Sequence, residues 1–236
     1  MRQPTVVFDF DGTIALGHGP VLAYARHVAA LAGDPGLMEA ARVALDRVDA
    51  GDAVYRDSYD AVRQVALERE IPESVLGPAY LASRHELGSR TAPVEAPVGL
   101  GEFLAGLAPS ARLVLATNAP EIRVDHVLEL LGAADHLVER HFSIGKPAGL
   151  VAIVADHLAE GPVLAVGDIW AYDLAPAAEL GADTALVGVT ARGDDPRPTM
   201  SGTTLADLYG AITNWAATAV PEPTAPDGAG HPQGKA

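Results

Sequence analysis

From Gly101 to Trp215 short apolar runs alternate with helix-like stretches, and this alternation limits the fold more than any other feature. Strand-like runs at Arg112–Ala116, His136–Glu139, Val163–Val166 and Thr184–Val189 are separated by helical stretches at Glu121–Leu131, Leu150–Leu158 and Leu174–Leu180. Gly101–Leu107 and Leu205–Trp215 read as flanking helices. Strands that alternate with helices close into a parallel sheet covered on both faces. One more strand, about Thr5 to Phe10, stands far upstream of the others.

Between that strand and the rest, no strand is evident. Val21–Leu31, Leu37–Val48, Tyr55–Arg69 and Pro78–Leu87 are helical in composition, with breakers at Gly33-Asp34-Pro35, Gly51-Asp52 and Ile71-Pro72. Pro93 and Pro97 mark the return to the alternating region. The expected architecture is therefore α/β. A Rossmann-like parallel sheet core comes from residues 1–16 and 93–219, with helices on both faces. An inserted α-helical cap, residues 17–92, sits over the carboxyl edge of the sheet as a lid. Residues 220–236 are rich in Pro, Gly, Ala and Thr and are expected to form a disordered tail.

The first strand ends in Asp9-Phe10-Asp11-Gly12-Thr13. Residues two apart on a strand face the same side, so Asp9 and Asp11 pair while Phe8 and Phe10 turn the other way. Open α/β sheets bind ligands at the carboxyl ends of their strands. Two differently tuned carboxylates there can divide nucleophilic attack from proton transfer. A solvated turn is the plainer reading of the same pentapeptide.

Three further elements end strands of the alternating region. Thr117-Asn118 offers a hydroxyl and an amide for an oxyanion, or caps the next helix. Lys146, in Gly145-Lys146-Pro147, is one of only two lysines and the other, Lys235, lies in the tail. It can neutralise a phosphoryl oxygen and a carboxylate together. Gly167-Asp168 is followed five residues later by Asp173. Four carboxylates around one lysine repel one another unless a cation joins them, and an all-oxygen set suits Mg²⁺.

Charge narrows the partners. Lys and Arg number 16 against 31 Asp and Glu, a formal charge of -15. That balance argues against a nucleic-acid partner. The chain has no cysteine, so disulfides and thiolate metal sites are excluded. No apolar run is long enough for a bilayer, and the short stretch before Val6 leads us to expect no signal peptide, hence a cytoplasmic protein without a membrane partner. Nothing in the sequence sets the oligomeric state.

The four ordered elements, Asp9-Phe10-Asp11-Gly12-Thr13, Thr117-Asn118, Gly145-Lys146-Pro147 and Gly167-Asp168 with Asp173, resemble the motifs of the haloacid dehalogenase-like (HAD) superfamily. The helical insert resembles the C1 cap of its phosphoglycolate phosphatase-like branch. The resemblance spans about residues 4 to 190. It implies a Mg²⁺-dependent phosphatase that hydrolyses a small phosphorylated metabolite through an aspartyl-phosphate. Asp9 is then the nucleophile and Asp11 the general acid and base. Thr117 and Lys146 hold the phosphoryl oxygens, with Asn118, Gly12 and Thr13 beside them. Asp9, the carbonyl of Asp11 and Asp168 bind the metal, supported by Asp173. The chain departs from the family pattern in Ile169-Trp170 after Asp168 and in the segment Ile14 to Pro20.

For substrate choice the candidates are His18, between two glycines in the linker to the cap, and Arg56, near Tyr55 and Tyr59. Each has an ordinary surface role as its alternative. Tyr24, Trp170 and Tyr172 are candidates to shape the pocket or to pack in the core. A phosphomutase and a catalytically silent phosphometabolite-binding module are the alternative functions. The cap has no lysine and no basic cluster, which weighs against a mutase gripping a sugar phosphate at both ends. No lysine precedes Lys146, which leaves a phosphonate hydrolase without its Schiff base.

Overall fold

The structure, a computed structural model, describes residues 3–52, 54–188 and 198–219. Among the described residues six strands form one sheet: β1 (Thr5–Phe8), β2 (Arg112–Ala116), β3 (Glu139–His141), β4 (Val163–Gly167), β5 (Asp183–Val187) and β6 (Met200–Gly202). Their order is β3-β2-β1-β4-β5-β6 and every pairing is parallel. β1 is thus central, with Val7 opposite both Val114 and Ala165.

Helices cover both faces, which is why β1 and β4 are buried along their whole length. Side chains of one parity, including Phe8, Phe10, Leu115 and Val166, pack against α5 (Leu100–Leu107), α6 (Val124–Leu130) and α9 (Tyr209–Thr218). Those of the other parity, including Val7, Ala116 and Ala165, pack against α7 (Ala148–Glu160) and α8 (Ala175–Glu179). This is the period-two division that a doubly covered sheet requires.

The insert after β1 consists of α1 (Gly19–Ala32), α2 (Leu37–Asp49), α3 (Ser58–Glu68) and α4 (Glu73–Arg84). It has an apolar core of its own, built around Val28, Leu37, Leu45 and Val62. The segments that enter and leave it run side by side. Leu16 N–H donates to Glu95 O at 2.8 Å and Glu95 N–H to Leu16 O at 3.0 Å. A Cβ on Gly19 would lie 2.0 Å from the Pro93 carbonyl oxygen, so only glycine permits this crossing.

Several expectations shift. The helix expected at Pro78–Leu87 begins at Glu73 instead, with Pro78 inside it. One backbone donor is lost there, but Leu76, Ala79, Ser83 and Arg84 on the buried face hold the helix. α3 starts at Ser58 because Asp57 caps it, accepting from Asp60 N–H at 2.7 Å. α6 starts at Val124, after Arg123 at φ 58°. The strand expected at His136–Glu139 lies at Glu139–His141. Leu137 is tied back into a turn on the Ala133 carbonyl, and Val138 is 77 % exposed. A π-helical turn, Trp170–Leu174, precedes α8, and a capped 3₁₀ turn, Leu205–Leu208, precedes α9. β6 was not expected; three residues on a sheet edge carry no legible period. The expected end of β5, Val189, and the tail from residue 220 lie outside the described residues. No described helix is long and apolar enough to cross a membrane.

Candidate active site

Because all six strands are parallel, their carboxyl ends lie on one edge, and the polar residues that follow them meet there. Asp9 comes directly after β1, Thr117 after β2 and Asp168 after β4. Lys146 lies in the loop from β3 to α7, and Asp173 in the π-helical turn. The Lys146 ammonium donates to Asp9 Oδ1 at 2.5 Å and to Asp173 Oδ1 at 2.7 Å, all three residues being buried. Thr13 Oγ1 lies 3.5 Å from the other Asp9 oxygen.

The neighbours of this triad fix its geometry. Asp173 Oδ2 accepts the Ile169 N–H at 2.9 Å, so both its oxygens are engaged. Asn118 Oδ1 accepts the Lys146 N–H at 2.6 Å and thereby holds the lysine loop. Thr117 Oγ1 accepts the Ala119 N–H at 3.0 Å, a local turn; α6 begins only at Val124, so Thr117 is not its cap. Gly12, at φ +85°, leaves room for Asp168: an added Cβ would lie 2.3 Å from Asp168 Oδ2.

Electrostatics follow from this crowding. Burial, reinforced by Asp173 and Asp11 and opposed by Lys146, pushes the Asp9 carboxyl up to about 7. Burial first, and then Asp173 and Asp9, raise Asp168 well above the usual carboxylate range. Lys146 moves upward: burial works against its charge, and Asp9 and Asp173 more than restore it. One ammonium answers three carboxylates whose oxygens lie within 4.8 Å of one another. Hard oxygen donors with uncompensated negative charge are the donor set of Mg²⁺. Asp9 and Asp168 bring their carboxylates to the same point of the cleft, whereas Asp173 directs its oxygens to Lys146 and Ile169.

The cap closes the other side of a cleft of about 570 Å³. That is room for a small ligand. Tyr24, Tyr59 and Tyr80 form an aromatic cluster with centroids 5.7 to 6.0 Å apart. Arg56 reaches the core: Nη1 donates to Tyr172 Oη at 3.3 Å, and the guanidinium carbon lies 4.9 Å from that ring. Its Nε also donates to Asp57 at 2.8 Å. His18 lines the cleft but turns Nε2 to Asp49 at 3.1 Å. Tyr24 and Tyr172 line the cleft, whereas Trp170 packs on the apolar cluster beneath the sheet.

Sequence reasoning missed Arg84. This cap residue is 1 % exposed, and its Nη1 lies 3.2 and 3.3 Å from the two Asp11 oxygens and 3.3 Å from Tyr59 Oη. Phe10 and Tyr80 flank the guanidinium with ring centroids at 5.8 and 5.9 Å. The signal was present: Leu76, Tyr80 and Arg84 recur every four residues on one helical stripe, and a charge in an apolar stripe is rarely buried without a partner.

A family model described as haloacid dehalogenase-like hydrolase matches residues 4–181. A search of curated protein sequences finds no match. Among solved structures, YfnB of Bacillus subtilis, assigned as a HAD-hydrolase and solved with bound magnesium, superposes with a TM-score of 0.61 at 16 % identity, covering 91 % of this chain and 100 % of that one. A predicted phosphoglycolate phosphatase from Haemophilus somnus gives 0.61 at 16 %, over 90 % and 99 %. A 2-haloacid dehalogenase from Pseudomonas syringae gives 0.54 at 18 %, over 91 % and 100 %. At such identities the likeness is one of fold, and the fold is shared by neighbours named for different reactions.

Proposed function

Given that the chain belongs to the haloacid dehalogenase-like hydrolase family, we propose that it is a Mg²⁺-dependent phosphatase acting on a small phosphomonoester. The observation that carries this reading is the buried Lys146 ammonium on Asp9 Oδ1, with Asp11 two residues further at the open edge of the sheet. A bare nucleophilic carboxylate beside a cation suits attack on an anionic phosphorus centre.

An Asp9 oxygen attacks phosphorus in line, and the ester P–O bond breaks. Asp11 gives its proton to the departing alkoxide. Water then donates a proton back to Asp11 and attacks the aspartyl-phosphate, releasing phosphate and restoring Asp9. Lys146 and Thr117 neutralise and orient the phosphoryl oxygens. Asp9, Asp168 and the Asp11 carbonyl would hold Mg²⁺, with Asp173 supporting them through Lys146. When bound, the ion neutralises charge on the phosphoryl group. The four-helix insert acts as a lid that excludes water, and His18, Arg56 and the tyrosine cluster read the rest of the substrate. Asp11 and the oxygen-rich metal set favour this over halide release, which requires neither.

The test is hydrolysis of a generic aryl phosphate by the purified protein. Turnover should require Mg²⁺, stop on addition of EDTA, and vanish in Asp9→Asn while the melting temperature holds. Turnover by Asp9→Asn, or turnover independent of a divalent cation, refutes the assignment.

A further inference from the structure

A second group of metal-type ligands lies apart from the aspartates, and it does not depend on the phosphatase reading. Glu139 and His141 lie two apart on edge strand β3 and so project to the same side. His157, on α7, faces them with its side chain 7 % exposed. The two imidazole Nε2 atoms converge on one carboxylate oxygen, Glu139 Oε1, at 3.0 Å from His141 and 2.9 Å from His157. All three ligand atoms lie within 4.8 Å of one another.

We propose that Glu139, His141 and His157 form a site for a borderline divalent transition ion of the Zn²⁺ type, which cross-links β3 to α7. Two imidazoles and a carboxylate are a donor set for Zn²⁺ rather than Mg²⁺, which prefers oxygen alone. With bonds of about 2.0–2.1 Å, neighbouring ligands of a tetrahedral ion stand roughly 3.3 Å apart. The two spacings from Glu139 Oε1 to the histidine nitrogens reach that by opening a few tenths of an ångström. Glu139 and His141 are 35 % and 37 % exposed, which gives an ion a path in and leaves water to complete its shell. The competing arrangement is a pair of N–H donors sharing one carboxylate oxygen, with both protons displaced when the ion enters. The chain joining the two elements, residues 142–147, contains Lys146, so the cross-link would brace the loop that carries the lysine.

The test uses tag-free full-length protein dialysed against ZnCl₂ in excess Mg²⁺, added to compete for the aspartate cluster. The expected result is one retained zinc per chain and a raised melting temperature. His141→Gln, a half-exposed position that should fold, should lower the zinc affinity by at least the roughly 10–100-fold that even an outer-shell partner is worth. It should also abolish the zinc-dependent melting shift. Asp168→Asn should retain the zinc. Co²⁺ substitution should give a tetrahedral visible spectrum that His141→Gln lacks. No retained zinc, equal affinity in His141→Gln, or loss of the zinc in Asp168→Asn each overturns the proposal.

Discussion

Replacing Arg84 by methionine should separate stability from catalysis. The change keeps the length and apolar packing of the side chain between Phe10 and Tyr80 but removes its charge. Two effects oppose each other in the fold. Breaking a buried pair costs about 3–5 kcal/mol when the orphaned partner stays dry. Here Asp11 is 27 % exposed and can rehydrate, so the loss falls toward the roughly 1.5–3 kcal/mol of a hydrogen bond to a charged group. Against this, the guanidinium carries two buried N–H positions, Nε and Nη2, with no hydrogen-bond partner among the described residues. Removing buried donors left without partners returns about 1–3 kcal/mol. Net stability should therefore change by less than about 2 kcal/mol. Catalysis has no such compensation. Asp11 loses its anchor from the cap, and the same 1.5–3 kcal/mol appears as roughly a 10- to 100-fold fall in kcat. Thermal melting and aryl phosphate kinetics measure the two quantities separately. In a cycle with Asp11→Asn, the two changes should be strongly non-additive, with a coupling of about 1.5–3 kcal/mol. Wild-type kcat in Arg84→Met, or an additive double variant, refutes the claim that Arg84 acts through Asp11.

Other outcomes follow from the same geometry. Because burial pushes Asp9 up to about 7, Mg²⁺ must displace a proton below that pH. Its affinity should rise with pH up to about 7, roughly tenfold per pH unit for each proton released, as calorimetry in buffers of different ionisation enthalpy would register; a pH-independent affinity contradicts the shift. By the same sign, a carboxyl raised in the fold binds more protons than in the unfolded chain. The metal-free protein should then lose stability relative to Asp9→Asn as pH climbs from about 4 to about 7. Gly12→Ala forces a Cβ into Asp168 at φ +85° and should cost about 1–2 kcal/mol in melting experiments while weakening Mg²⁺ binding; an unchanged metal titration counts against that contact. Arg56→Ala removes a half-exposed bridge worth no more than about 1 kcal/mol, so it should raise KM for the best substrate of a phosphometabolite screen and spare kcat on a small aryl phosphate. An equal fall in kcat for all substrates places Arg56 in the chemistry instead.

Much of this protein is local enough to read in its sequence. The strands Arg112–Ala116 and Val163–Gly167 are bounded by turn residues and consist of apolar runs, so their periods are plain. A parallel sheet then brings the residues after β1, β2 and β4 to one edge whatever the side chains do, and scarce lysine drew attention to Lys146. What the sequence left open depends on contacts between distant segments. β3 starts three residues later than expected because its register is set by pairing with β2, where Glu139 lies opposite Val114, not by its own apolar run. β6 exists through its partner β5. Asp173 became the anchor of Lys146 through a π-helical turn that no local pattern announces. His157 meets Glu139 and His141 only because α7 folds back along the edge strand. Arg84 meets Asp11 across 73 residues, since the linkers at Leu16 and Glu95 pair and bring α4 down on the sheet edge. Period and turn chemistry are properties of neighbouring residues and so survive in a string of letters. The partner of a buried charge is decided by packing, and only the tertiary structure names it.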